Sequence, residues 1–342
     1  MKDKKKFAFN ILFFIVIISI TYYIIFRNID ILVFMENLKR INIIYVILGI
    51  IVMFGFYFVE AVNIGYILNT FKEKVPLHKM IKFSLIGAFF SAITPASTGG
   101  QPMQIYYMNK EDINVSHTTL AFLIQMCGYQ LFIVIFGLFF GLLNPELLGN
   151  GVIYFYLIGI LFNIAALSFS LVGIFSKKIT NKLVKVFIKI LTIFKSKKIK
   201  QINEKIDQEL DTFNESAKFI KKHKKEFVNS LLLSGLQVMC NYSIIYFTYK
   251  AFGLSAETLF SLFAIQSILR CAITSLPLPG AVGVSESAFI ILFSKAFDSS
   301  ILPNALLLHR FMNFYLYVFI SLLVVLYNKV YLSYKYKKTK KA

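Results

Sequence analysis

Apolar residues run along this chain in long blocks, and the blocks set its organisation. Six of them, at 7–26, 43–69, 118–142, 152–175, 227–250 and 305–327, have the ~20 residues that carry a helix across a hydrocarbon core. Backbone amides in lipid must be satisfied within the segment or in a closed barrel. Runs this long, without period-two alternation, predict helices. Two further apolar stretches differ. The first, 80–95, stops at Thr94-Pro95 and passes through Ala96-Ser-Thr-Gly-Gly-Gln101 into a short helical run ending near Asn109. The second, 257–276, stops at Leu276-Pro-Leu-Pro-Gly280 and passes through Ala281-Val-Gly-Val-Ser-Glu286 into a run ending near Phe297.

Pro removes a donor and Gly admits unusual backbone angles, so both clusters interrupt a helix. Irregular backbone at membrane depth persists only where protein shields it or where it lines a wet cavity. The pattern therefore predicts two re-entrant hairpins, 80–109 and 257–297. The same tripeptide precedes each break, Ala92-Ile-Thr94 and Ala272-Ile-Thr274. The expected fold is an all-α polytopic membrane protein with about six transmembrane helices and two oppositely oriented hairpins. Such inverted repeats with broken helices meeting at the midplane are a common design of secondary transporters. The expected division is a first membrane repeat over 1–175, a cytoplasmic helical linker over 176–226, and a second repeat with a basic tail over 227–342.

Composition agrees with a lipid solvent. Of 342 residues 57% are hydrophobic and 16% charged, against roughly 25% charged in soluble domains. Mean hydropathy is +0.69. The net charge of +20 is placed beside the apolar runs: 30 of the 37 basic residues fall in the segments that six spans and two hairpins put on one side, and five on the other. That bias predicts both termini in the cytoplasm of a bacterial-type plasma membrane. It argues against direct nucleic-acid binding. The basic start followed by 7–26 resembles a signal peptide, but the run is long and ends at Arg27 without a small-residue cleavage site, so it is read as a retained first span. Cys127, Cys240 and Cys271 lie within apolar runs without metal or disulfide spacing. In the linker, Ile179 to Phe194 reads as a basic amphipathic helix lying on an anionic leaflet. From Ile199 to Ile220 a second helical stripe follows, expected to rest on the membrane.

Ionisable groups inside spans are costly, so they mark function or internal pairing. Four stand out: Glu60 in the second run, Arg270 before the second break, Glu286 after it, and Arg310 near the start of the last run, where it is within reach of the outer interface. Polar pairs at helical spacing accompany them, Glu60 with Asn63, Gln125 with Tyr129, Gln237 with Asn241, Gln266 with Arg270 and Arg310 with Asn313. They read as a polar seam, or as the hydrogen bonds that hold a bundle together. At the breaks, Thr94, Gly99, Gly100 and Gln101 in the first and Gly280 and Gly283 in the second open helix N-termini towards the midplane. A phosphate can approach such a backbone, with an amine at Glu286; equally, the glycines permit close helix packing. The four histidines are scattered and no catalytic or metal motif occurs, so no catalytic residue, cofactor or metal is expected.

At Ile93-Thr-Pro-Ala-Ser-Thr-Gly-Gly-Gln-Pro102 and Leu276-Pro-Leu-Pro-Gly-Ala-Val-Gly-Val-Ser-Glu286 the chain resembles the membrane, flippase part of the lysylphosphatidylglycerol synthase/flippase family, the multiple peptide resistance factors. The resemblance spans nearly the whole chain. It implies movement of an aminoacylated phosphatidylglycerol or related anionic phospholipid from inner to outer leaflet, which lowers the binding of cationic antimicrobial peptides. In many relatives an acid follows the first Gly pair, with an Arg three positions later; here Gln101 and Gln104 stand there. Only Ser333 to Ala342 follow the last span, so the soluble aminoacyl-tRNA-dependent transferase of full-length synthases is expected to be absent and lysyl transfer by this chain alone is not expected. Two alternatives remain: a membrane subunit of phosphatidylglycerol lysyltransferase working with a separate transferase, and an ion- or proton-coupled transporter of small solutes.

Overall fold

A computed structural model describes residues 31–149, 151–182, 199–274 and 283–339. Every regular element among them is helical. Five helices are long and apolar enough to span a membrane: α2 (Ile43–Thr70), α5 (Val115–Leu143), α6 (Val152–Phe175), α8 (Lys224–Ala251) and a final one over Leu302–Lys329. The 28 residues of α2 rise about 42 Å at 1.5 Å per residue, well beyond a ~30 Å hydrocarbon core. The predicted span 7–26 lies outside the described residues.

The apolar positions of α2 divide between two environments. Ile43, Ile47, Ile51, Phe54 and Phe58 are exposed along one stripe, the face that meets lipid. Met53, Asn63, Ile64, Ile67 and Leu68 are buried in the bundle. A short α1 (Ile31–Lys39) precedes α2 and packs on the start of the last helix, where Asn304 Nδ2 donates to Phe34 O at 2.9 Å.

Between the spans sit two helical hairpins. The first is α3 (Leu77–Ala92) and α4 (Gly100–Asn109); the second is α9 (Leu259–Thr274) and α10 (Val284–Phe293). The first break is built by Pro95. Thr94 before it is extended (φ −115°, ψ 146°), as a residue preceding proline prefers. Ala96 and Ser97 then turn through positive φ of 50° and 57°. Thr94 stitches the break: its Oγ1 donates to Phe90 O at 2.6 Å and accepts from Gly99 N at 2.8 Å. The second break, including Leu276-Pro-Leu-Pro-Gly280, lies outside the described residues.

The two hairpins enter from opposite ends. At the end rich in Lys, Glu111 takes Lys79 Nζ at 2.8 Å and also pairs with Lys82, which ties the start of α3 to the loop after α4. The same end holds His117 Nδ1, 3.0 Å from Glu73 Oε1, and Lys221 Nζ, which donates to Phe175 O at 2.8 Å. At the other end Asn42 N donates to Ala251 O at 2.8 Å, Asn37 Nδ2 to Ser300 O at 2.9 Å, and the Tyr249 ring packs on Phe297. There α9 begins and α10 ends.

α2 packs along α8, the first limb of the first hairpin packs on the last helix, and the first limb of the second packs on α5. The last helix comprises α11 (Leu302–Arg310), a π-helical turn at Phe311–Tyr315, and α12 (Leu316–Thr339). In the linker, α7 (Ile199–Lys222) is helical, but Phe213, Ala217 and Ile220 of its stripe do not lie on lipid. They are buried in the same core as Leu120 and Ala121 of α5, and Ser116 Oγ donates to Glu209 O at 2.7 Å. Packing against the bundle end removes more apolar surface from water than the interface offers. Of 179–194, only 179–182 are described.

Candidate functional site

The glycines of the first hairpin make room for the hairpin itself. A Cβ on Gly99 would stand 2.5 Å from Thr94 Cγ2; one on Gly100 would overlap Ser91 Oγ and lie 2.9 Å from Gly87 O. One on Gly87 would overlap the Gln104 side chain. The two limbs thus approach to backbone contact, the arrangement that small residues permit in membranes. Gln101 is half-buried on the first turn of α4, and Gln104, one turn later, is buried.

Gln104 Nε2 donates to Glu60 Oε1 at 3.0 Å across the α2–α4 contact. From α8, Gln237 Nε2 reaches Glu60 Oε2 at a longer 3.4 Å, while its Oε1 accepts from Gln125 Nε2 at 2.7 Å. Further along, Ser234 Oγ donates to Gln125 O at 3.1 Å, Asn63 Nδ2 to Ser234 Oγ at 2.9 Å, and Ser230 Oγ to Asn63 Oδ1 at 2.6 Å. The sequence pairs Glu60–Asn63 and Gln125–Tyr129 are therefore brought together by α8, which crosses both. Glu60 takes part in none of the ion pairs among the described residues.

Glu286 has the opposite surroundings. It is wholly buried at the start of α10. Its Oε2 accepts from Gly283 N at 2.6 Å and from Ser285 Oγ at 3.0 Å, capping the helix, and its Oε1 accepts from Arg310 Nε at 2.7 Å. Gly283 takes φ +90°, a conformation that L side chains rarely adopt. Arg310 does not reach for the interface. It is 8% exposed, and its guanidinium also lies 4.7 Å from the Phe314 ring centroid. Beside it His309 is buried between Thr248 and Asn313, stacked on Phe289.

Arg270 is not brought to Glu286. It faces Tyr129 of α5 and Tyr242 of α8, and no carboxylate among the described residues pairs with it. Its Nε, the Tyr242 hydroxyl and Oε1 of Gln266, one turn before it, are buried without a hydrogen-bond partner. Buried polar atoms are nearly always satisfied, so an orphan guanidinium nitrogen and two orphan groups on neighbouring side chains mark a place for a polar group. Tyr57, one turn before Glu60, also faces Tyr129, so a seam of phenols joins the acid to the base. Gln104, Gln237, Tyr57 and Tyr129 are the residues that a list of break residues and charges omits. Their signal was helical spacing of amides and phenols inside apolar runs.

A groove of about 560 Å³ runs from Ala61 and Met80, next to this centre, along Gly65 and Tyr66 to Lys74 at the Lys-rich end. Outside the spans, burial pushes the Glu111 carboxyl up, but Lys79 and Lys82 outweigh it and hold its pKa below the ordinary carboxylate value. No group of three or more His, Cys, Asp or Glu among the described residues is arranged to hold a metal.

Comparison with known proteins agrees with the fold. A "UPF0104 membrane protein" from Archaeoglobus fulgidus is 21% identical over 300 residues, covering 86% of this chain and 89% of the relative. The family described as "Lysylphosphatidylglycerol synthase TM region" matches residues 8–321, and so this integral membrane protein belongs to that family.

Proposed function

We propose that the protein is a lipid flippase that carries an aminoacylated phospholipid, of the lysylphosphatidylglycerol kind, from the inner to the outer leaflet of a bacterial-type plasma membrane. One observation carries the reading: an acid, Glu60, and a base, Arg270, are both half-buried inside the bundle, with no counter-ion among the described residues, beside hairpins that enter from opposite ends. Unmatched charges at membrane depth are expensive and persist where a ligand completes them. An aminoacyl phospholipid brings the complement, an ammonium for Glu60 and a phosphodiester for the Arg270 guanidinium and Tyr242 hydroxyl. The amine is assigned to Glu60 because the Glu286 carboxylate is already filled by Arg310, Ser285 and the Gly283 amide. The apolar groove with Lys74 at its mouth suits entry of an acyl chain from the Lys-rich side, which positive-inside bias places in the cytoplasm. A separate aminoacyl-tRNA-dependent transferase would supply the lipid, and display of its cationic headgroup outside would repel cationic antimicrobial peptides.

The test is reconstitution of the full chain into liposomes containing fluorescent lysyl-phosphatidylglycerol, with outer-leaflet quenching to follow sidedness. Translocation above that of empty vesicles is expected, reduced at least tenfold in Arg270→Ala, equivalent to about 1.4 kcal/mol on the barrier. Equal rates in protein-containing and empty vesicles would remove the proposal.

A further inference from the structure

The neighbours of Glu60 suit two protonation states. They are amides, Gln104 on α4 and Gln237 on α8, with the buried Ser84 hydroxyl of α3 beside them. The titratable groups around it are phenols: Tyr57 on its own helix, and Tyr129 on α5 and Tyr317 on α12, which both face Tyr57. An amide is two-faced. Its NH₂ donates to a carboxylate and, turned over, its oxygen accepts from a carboxylic acid. Amide partners therefore satisfy Glu60 with or without its proton. Glu286, by contrast, meets the Arg310 guanidinium and the Gly283 N–H, which can only donate. An ionised acid in a low-dielectric interior without a counter-ion is costly, so Glu60 carries either a cation or a proton.

We propose that Glu60 is an exchange site at which a proton and the ammonium group of the lipid compete, coupling lipid movement to proton movement in the opposite direction. This rests on the flippase reading. As the ammonium arrives, the Glu60 O–H bond breaks, the proton passes to water on the open side, and the carboxylate accepts an N–H from the ammonium instead. After release on the other side a proton from water restores the acid. The site is neutral in both states, which lets it cross between them. Gln104 gives the exchange a mechanical arm. When Glu60 is protonated one amide must turn its oxygen towards it, and Gln237 is held by its 2.7 Å bond from Gln125, so Gln104 turns and loosens the hairpin that carries it.

The experiment uses the purified full chain in detergent micelles, weakly buffered near neutral pH, with labelled lysyl-phosphatidylglycerol and a pH-sensitive dye. Binding is expected to release protons and to weaken about tenfold per pH unit once Glu60 is protonated. Phosphatidylglycerol, which lacks the amine, releases none. Glu60→Gln abolishes the release and removes a carboxylic C=O stretch from the infrared difference spectrum, whereas Glu60→Asp keeps both, which separates chemistry from misfolding. Lipid binding without proton release, or release that persists in Glu60→Gln, overturns the exchange and leaves the flippase reading intact. Absence of lipid binding to the wild-type chain overturns both.

Discussion

Glu60 and Glu286 each sit beside a helical hairpin, yet the protein treats them differently. Glu286 collects hydrogen bonds from a guanidinium, a hydroxyl and a backbone amide. Glu60 meets two amides and, among the described residues, no cation. The contrast separates an acid that holds the structure from one left available to a ligand. The chemistry of the partners distinguishes them.

The comparison is broken most directly at Glu286. Glu286→Ala removes the carboxylate to which the buried Arg310 Nε donates, and a loss of about 3–5 kcal/mol is expected in unfolding experiments in detergent, with part recovered in Glu286→Ala/Arg310→Met. Glu60→Gln is expected to leave stability within roughly 1 kcal/mol of wild type while abolishing transport, because glutamine keeps the acceptor and the shape. If the two stability effects came out equal, the division of roles would fall.

Packing of the hairpin comes next. Gly100→Val places methyl groups against Ser91 and Gly87 O, and a loss of about 1–3 kcal/mol is expected, read as a lower melting temperature. Gln104→Leu deletes one donor to Glu60; about 0.6 kcal/mol of stability is at stake, with a larger loss in lipid binding. The smallest effect belongs to Glu111. Its pKa is held below the ordinary carboxylate value, so the Lys79 and Lys82 clamp is complete at neutral pH and is lost only as pH falls through that depressed value. Hydrogen exchange at the base of α3 and α4 is expected to stay flat from neutral pH into mild acid and to rise only below the usual carboxylate range.

Block length and the Pro/Gly clusters were enough to read the helices, because in lipid the backbone has so few ways to satisfy itself. Five of the six predicted spans fall within a few residues of observed helices; the sixth lies outside the described residues. What the sequence could not give was which polar groups meet. Glu60 and Asn63 share a helical face by spacing, but that Gln104 arrives from a hairpin and Gln237 from α8 depends on how the repeats are set against each other. Arg270 and Glu286 flank the same break in the sequence, yet α9 turns Arg270 towards Tyr129 while Arg310 takes the acid. Charge sign alone does not decide between two arginines for one carboxylate. The linker stripe at Phe213, Ala217 and Ile220 likewise has the same pattern whether it covers lipid or protein.

The π-helical turn at Phe311–Tyr315 lies between the two environments. On one side of it Arg310 serves the second hairpin; on the other, Tyr317 and α12 bear on Tyr57 and the first. One extra residue in a turn offsets the helix above from the helix below by about 100°. Relaxing that turn to ordinary α-helical geometry would swivel one half of the helix against the other, so a single rod would act as a torsional joint through which a shift at either hairpin is felt at its counterpart.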